Sequence, residues 1–140
     1  MAIGRAIRAE LDQEIQALKA RGVVPGLAAV LVGDHAPSHA YVRMKARASD
    51  EAGLYHETIT KPATVSEQEL LEVIDRLNAD PRVHGILVQL PLPKHVDQRR
   101  ILHRVHPGKD VDGFHPENVG KLASGDATGF RPATDRKSVV

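Results

Sequence analysis

The sequence predicts an α/β domain of three layers, a mostly parallel sheet flanked by helices. Two short apolar runs, residues 27–32 and 85–88, are too short for helices and do not alternate, so they read as strands covered on both faces. Amphipathic stretches with helical periodicity lie between them, and strand, helix, strand, helix, strand recurs in units of about thirty residues. Such a repeat brings right-handed crossovers and parallel pairing.

Each element has its own signals. Ile3, Ile7, Leu11, Ile15 and Leu18 recur every four or three positions, which predicts an amphipathic helix from Ile3 to about Arg21, ended by Gly22. Pro25-Gly26 turns the chain into the first strand, and Gly33-Asp34 closes it. Residues 36–52 have a helical composition that stops at Gly53, with Ser38 expected as the cap. Residues 54–60 alternate weakly and read as a second strand. Ser66 and Glu69 fit a capping box, and Leu70, Leu71, Ile74 and Leu77 form the inner stripe of a helix ending near Asn78, with Pro81 as its stop.

The strand at 85–88 is expected to be central and to deliver Gln89 at its carboxyl end, where open α/β sheets hold their ligands. Gln89 either enters such a site or satisfies loop backbone. Pro91 and Pro93 then take the chain out of the ladder. A short helix with Val96, Ile101, Leu102 and Val105 as its stripe stops at His106-Pro107-Gly108. The stretch from Lys109 to Gly120 reads as a turn with one functional carboxylate, and the chain from Ala123 onward as polar and turn-like.

At 140 residues the chain is expected to form one domain that buries roughly two-thirds of its unfolded surface. Nineteen basic against eighteen acidic residues offer no electrostatic case for nucleic acid or a membrane surface. The absence of cysteine removes disulfides and thiolate sites and fits a reducing compartment. With no apolar run near eighteen residues and no signal-peptide pattern, a soluble, cytoplasmic chain is expected. No metal is expected. Asp110 and Asp112 bracket a valine without the further oxygen ligands of a calcium loop, and the histidine pairs His35/His39 and His103/His106 lack a third ligand and read as surface residues. The sequence also contains no glycine-rich dinucleotide fingerprint, Walker loop or nucleophile elbow.

Tyr41 and Lys45 are four residues apart and project from one helix face, near the carboxyl end of the preceding strand. A surface lysine beside a core tyrosine is the commoner meaning of an isolated Tyr-x-x-x-Lys, so the pair gains weight only from what accompanies it.

Three stretches together do accompany it: Val32-Gly33 with Ser38, Tyr41 and Lys45; residues 85–93; and residues 107–114 with Asn118 and Gly120. In type, order and interval they resemble the signatures of the bifunctional methylenetetrahydrofolate dehydrogenase/methenyltetrahydrofolate cyclohydrolase family, over about residues 3–134. The resemblance implies a folate-binding catalytic domain at 1–134 and a divergent tail at 135–140. In the family a Rossmann domain binding NADP follows, folate lies in the cleft between the two, and the enzymes are typically homodimers. No counterpart of that NADP domain is expected in these 140 residues. Where the family continues with proline, cysteine, threonine and proline, this chain reads Pro132-Ala133-Thr134-Asp135.

The same resemblance implies tetrahydrofolate derivatives as substrates, carried from the methylene through the methenyl to the formyl state. It places catalytic roles on Lys45, Tyr41, Gln89 and Asp112, and substrate contacts on these four together with Val88, Leu90 and Pro132. The chemistry suits the residue types. Methenyl-tetrahydrofolate is a delocalised cation, so a lysine acting beside it must spend time neutral to take a proton from attacking water. Gln89 would orient that amine, and Tyr41 would pack on the folate's aromatic ring. Asp112 would accept two parallel N–H donors from the pterin. Without an NADP domain, activity would be impaired or lost. A remnant that binds folate or a protein without turnover is the alternative, and an unrelated α/β domain with coincident motifs is a third.

Overall fold

The computed structural model describes the backbone of residues 2–130 and the side chains of residues 6–130. In chain order the elements are α1 (Ala2–Ala20), β1 (Gly26–Val32), α2 (Ala36–Ala52), β2 (Tyr55–Lys61), α3 (Glu67–Ala79), β3 (Gly85–Val88), α4 (Gln98–Arg104), a 3-10 turn (Pro107–Lys109) and α5 (Pro116–Ser124). The three strands are all parallel in the order β2-β1-β3, with Val30 facing both Ile59 and Val88. Helices lie on both faces, and the three-layer α/β architecture stands as expected.

One strand sits elsewhere than predicted. Among the described residues β1 is central and β3 lies at the edge. Both are fully apolar, so composition does not rank them. β3 is buried along its whole length because Asp110 forms a bridge beside Ile86, and the chain following α4 covers its outer side.

Two apolar clusters fill the space between layers. On one face Leu70, Ile74 and Leu77 of α3 and Ile101 of α4 meet Val30, Ile86 and Val88 of the sheet, with Val83 and Val105 closing the ends. On the other face Val42 of α2 meets Ala29, Leu31 and Leu87, and Val111 packs against the group. Gly26 permits the tight entry to β1, since a Cβ there would stand 1.8 Å from the carbonyl oxygen of Arg82.

The ends of the helices show which local signals operate. Gly53 closes α2 in the left-handed conformation (φ 74°) that costs glycine least. Ser66 accepts from the Glu69 N–H at 3.0 Å, but the Glu69 side chain turns to Lys61 instead of back to Ser66, so only half of the capping box forms. Ser38 is not the cap of α2. Pro37 sits in the first turn, as its missing N–H favours, so His35 becomes the boundary residue and Ser38 falls inside the helix. There it is buried, with its hydroxyl 2.8 Å from His35 Nδ1 and donating to the Leu90 carbonyl at 3.5 Å.

α1 forms where the periodicity puts it, yet its stripe is only partly covered: Ile7 and Leu11 are each 49% exposed. α5 was read as turn. Its signals are nonetheless local: His115 accepts from the Glu117 N–H, Pro116 opens the first turn, and Gly125 ends the helix with φ 79°. No helix among the described residues is long and apolar enough to cross a membrane.

Candidate active site

β1 and β3 run parallel and end at a common rim. Gly33, with φ 85°, reverses the chain out of β1, and His39 Nε2 lies 2.9 Å from the Gly33 carbonyl oxygen, tying the first turn of α2 to that reversal. Tyr41 and Lys45 follow one turn apart. Val42 is buried in the sheet-facing cluster, whereas Tyr41 is 57% exposed. Tyr41 is therefore no core residue, and the commoner meaning of the Tyr-x-x-x-Lys spacing does not apply here. Lys45 is half-buried.

The ladder continues one residue past β3, because the Gln89 N–H donates to the Val30 carbonyl at 2.9 Å. That bond aims the Gln89 side chain from the rim. Lys45 Nζ donates to Gln89 Oε1 at 3.3 Å, a long hydrogen bond, and Gln89 Nε2 donates to the Leu90 carbonyl at 3.4 Å. An ammonium can only donate, so it fixes which end of the amide faces it.

The third wall is the loop between the 3-10 turn and α5, and it is anchored at several points. Lys109 Nζ donates to the carbonyls of Leu77, Asn78 and Asp80 at 3.2, 2.8 and 3.0 Å, where the end of α3 leaves acceptors unsatisfied. Asp110 is 4% exposed, and its Oδ2 accepts from the His115 N–H at 2.7 Å and from Asn118 Nδ2 at 2.9 Å. Val111 lies so close to β3 that a Cβ on Gly85 would come 2.6 Å from its Cγ1. Gly113, with φ 72°, turns the chain away again.

Asp112 stands between these anchors, half-buried. Burial pushes its carboxyl up from the ordinary value to about 6, the Lys45 ammonium pulls it down, and the Asp110 carboxylate pushes it up further. Lys45 is thus hydrogen-bonded to Gln89 and electrostatically coupled to Asp112. An amine, an amide and a carboxylate from α2, the end of β3 and the following loop converge at one rim of the sheet.

The remaining predicted positions differ in what they offer. Val88 is buried with its side chain in the larger core, which leaves its backbone as the part that can face a ligand. Leu90 is half-buried against the same core, and its carbonyl already receives Gln89 and Ser38. Pro132 and the tail from 135 lie outside the described residues. Among the described residues no three histidine, aspartate or glutamate side chains gather as a metal-holding group.

Several histidines are structural ties, His106 among them although its pair is expected at the surface. His84 Nδ1 accepts from the Gly26 N–H, His95 Nε2 lies 2.7 Å from the Val65 carbonyl oxygen, and His106 caps the 3-10 turn. The bonding roles of Lys109, Asp110 and Asn118 were not read from sequence. Their presence within one motif was the available signal.

Comparison with known proteins identifies the family. The family model for the tetrahydrofolate dehydrogenase/cyclohydrolase catalytic domain matches residues 1–112, a span that includes Tyr41, Lys45, Gln89 and Asp112. The chain belongs to this family. The bifunctional protein FolD 1 of Myxococcus xanthus is 54% identical over 132 residues, covering 94% of this chain and 45% of its own length. The FolD of Moorella thermoacetica is 50% identical over 138 residues, 49% of its length.

Among solved structures of the family, the FolD methylenetetrahydrofolate dehydrogenase/cyclohydrolase of Campylobacter jejuni superposes with a TM-score of 0.92 at 45% identity, over 95% of this chain and 47% of that one. The Trypanosoma brucei enzyme, complexed with NADP cofactor and inhibitor, gives 0.91 at 35% identity, over 99% of this chain and 48% of its own. The chain spans about half the length of the curated relatives it matches.

Proposed function

We propose that this chain is the folate-binding catalytic half of a methylenetetrahydrofolate dehydrogenase/methenyltetrahydrofolate cyclohydrolase. The observation that carries the reading is the Lys45–Gln89 hydrogen bond with Asp112 coupled to the same amine. Tetrahydrofolate derivatives would enter at this rim. The Asp112 carboxylate would accept the two parallel donors of the pterin, and exposed Tyr41 would lie against the substrate's aromatic ring.

The chemistry at Lys45 then follows from charge and proton balance. Water adds to the electrophilic methenyl carbon, neutral Lys45 takes its proton, and the resulting tetrahedral adduct carries no net iminium charge. The bond from that carbon to the ring nitrogen then breaks as the Lys45 ammonium returns its proton to the departing nitrogen, and the adduct's hydroxyl proton is released to solvent as the formyl C=O forms. Formyl-tetrahydrofolate remains. Gln89, held by the ladder and by Leu90, keeps the amine aimed throughout.

NADP belongs to the relatives' chemistry, and the residues present here do not fit it. The β1–α2 turn holds Gly33 alone and not a glycine-rich phosphate cradle, and β3 runs into prolines instead of a helix.

The test uses one protein sample and two readouts. Calorimetric titration with tetrahydrofolate should show binding, and Lys45→Met should abolish hydrolysis of methenyl-tetrahydrofolate, followed by absorbance, while binding stays measurable. Hydrolysis that survives in Lys45→Met removes the general-base assignment. Binding without any turnover in the parent chain instead favours a module that holds folate and does no chemistry.

A further inference from the structure

Asp110 and Asn118 take no part in the proposed chemistry, yet they are the buried polar groups behind Asp112. Asn118, 2% exposed, donates from Nδ2 to both Asp110 Oδ2 and the Pro107 carbonyl, and accepts the Phe130 N–H at its Oδ1. Asp110 is fixed from the other side by its bridge to Ile86 in β3 and by the His115 N–H. One amide thus ties together the 3-10 turn, the start of α5, the Asp112 loop and the segment that leads toward Pro132. Buried groups so fully bonded are costly to displace, and they hold a loop to a single geometry.

We propose that the Asp110–Asn118 pair is the positioning device of Asp112, fixing where its carboxylate stands and setting a second, buried carboxylate two residues from it. This rests on the folate reading only in assigning Asp112 to the pterin. The groups that act on Asp112 are Lys45 from α2, which favours its charge, and Asp110 from its own loop, which disfavours it. A like charge at short range is one of the three ways a protein retunes a carboxyl group.

The bonding pattern allows position and charge to be separated. Both hydrogen bonds to Asp110 end on Oδ2, so the amide oxygen of Asp110→Asn can receive them both while the charge is removed. Asn118→Ala keeps the charge and removes the tie.

The experiment is carbon-detected NMR titration of the aspartate carboxyls in the 140-residue chain and in both variants, paired with tetrahydrofolate calorimetry across pH 5 to 8. In the parent chain Asp112 should titrate near pH 6. In Asp110→Asn its midpoint should fall toward the ordinary carboxylate value. In Asn118→Ala, Asp112 and Gly113 should show broadened or shifted signals, with tetrahydrofolate affinity lower at every pH.

An Asp112 midpoint unmoved by Asp110→Asn, in a chain whose other signals match the parent, overturns the proposal, because a merely structural Asp110 would leave that midpoint alone. If Asn118→Ala fails to fold, Asn118→Ser supplies the tie readout, and an unaltered Asp112 environment there also counts against it. Absence of folate binding in the parent chain defeats the functional reading instead, and the carboxyl titration still decides the positioning role.

Discussion

The two faces of the sheet are built differently. On the α3/α4 face large aliphatic side chains interlock: Leu70, Ile74, Leu77, Val83, Ile86 and Ile101 are each 0–2% exposed. On the α2 face Val42 is the one apolar side chain of its helix that is buried, against Ala29, Leu31 and Leu87. α2 relies in addition on polar ties at its start, with Ser38 bonded to Leu90 and His35, and His39 beside Gly33. One face supplies stability, and the other holds the candidate catalytic helix in register at small apolar cost. Sites are commonly drawn from the less stable parts of a fold.

Substitutions that cut at each face should separate these contributions. Ile74→Ala opens a cavity among fully buried neighbours and should destabilise the chain by about 3 to 4 kcal/mol, read as a fall in the urea midpoint with little change in slope. Val42→Ala removes about two methylene equivalents from the thinner cluster and should cost roughly 1.5 to 2 kcal/mol. Its distinguishing signature is amide exchange that speeds up in α2 more than in α3. Equal acceleration of both helices would mean that the faces unfold as one unit and the contrast has no energetic meaning.

The smallest effect concerns Asp112. Its folded pKa, about 6, lies above its ordinary value, so between the two the folded state binds more protons than the unfolded state. Stability on this account falls as pH rises through that window and stays lower above it. Asp112→Asn should therefore be more stable than the parent at pH 7.5, by on the order of 1 kcal/mol once solvent screening of a partly exposed group is allowed for. Near pH 3.5 the two should converge. A variant less stable than the parent at pH 7.5 would show that attraction to Lys45 outweighs burial.

What could be read from residues alone divides along the same physical line. Local signals placed α2 and α3 within a residue or two, because Gly53, Ser66 and the stripe Leu70, Leu71, Ile74, Leu77 act on their own neighbours. Strand order did not follow from such signals. β1 and β3 are equally apolar, and what separates them is that β1 pairs with β2 on its second side, where β3 meets only the bridge from Asp110 to Ile86. α5 has local signals of its own, Pro116 and Gly125 at its ends, but the turn residues of the motif before it mask them.

For the candidate site, the residue types at 45, 89 and 112 were readable from their motifs. That Lys45 touches Gln89, that Asp110 is buried and that Tyr41 is exposed all depend on the tertiary approach of distant segments. Resemblance to a family implied the Lys45–Gln89 pairing in advance, but not the burial of Asp110 or the exposure of Tyr41. Composition and spacing implied none of the three.

The Lys109 amine, seated on three carbonyls at the end of α3, has a bearing on assembly. Its acceptors take up their places only when the last turn of that helix has wound. The seat of the Asp112 loop is therefore built from the finished end of α3, and fraying of that helix would unseat the rim.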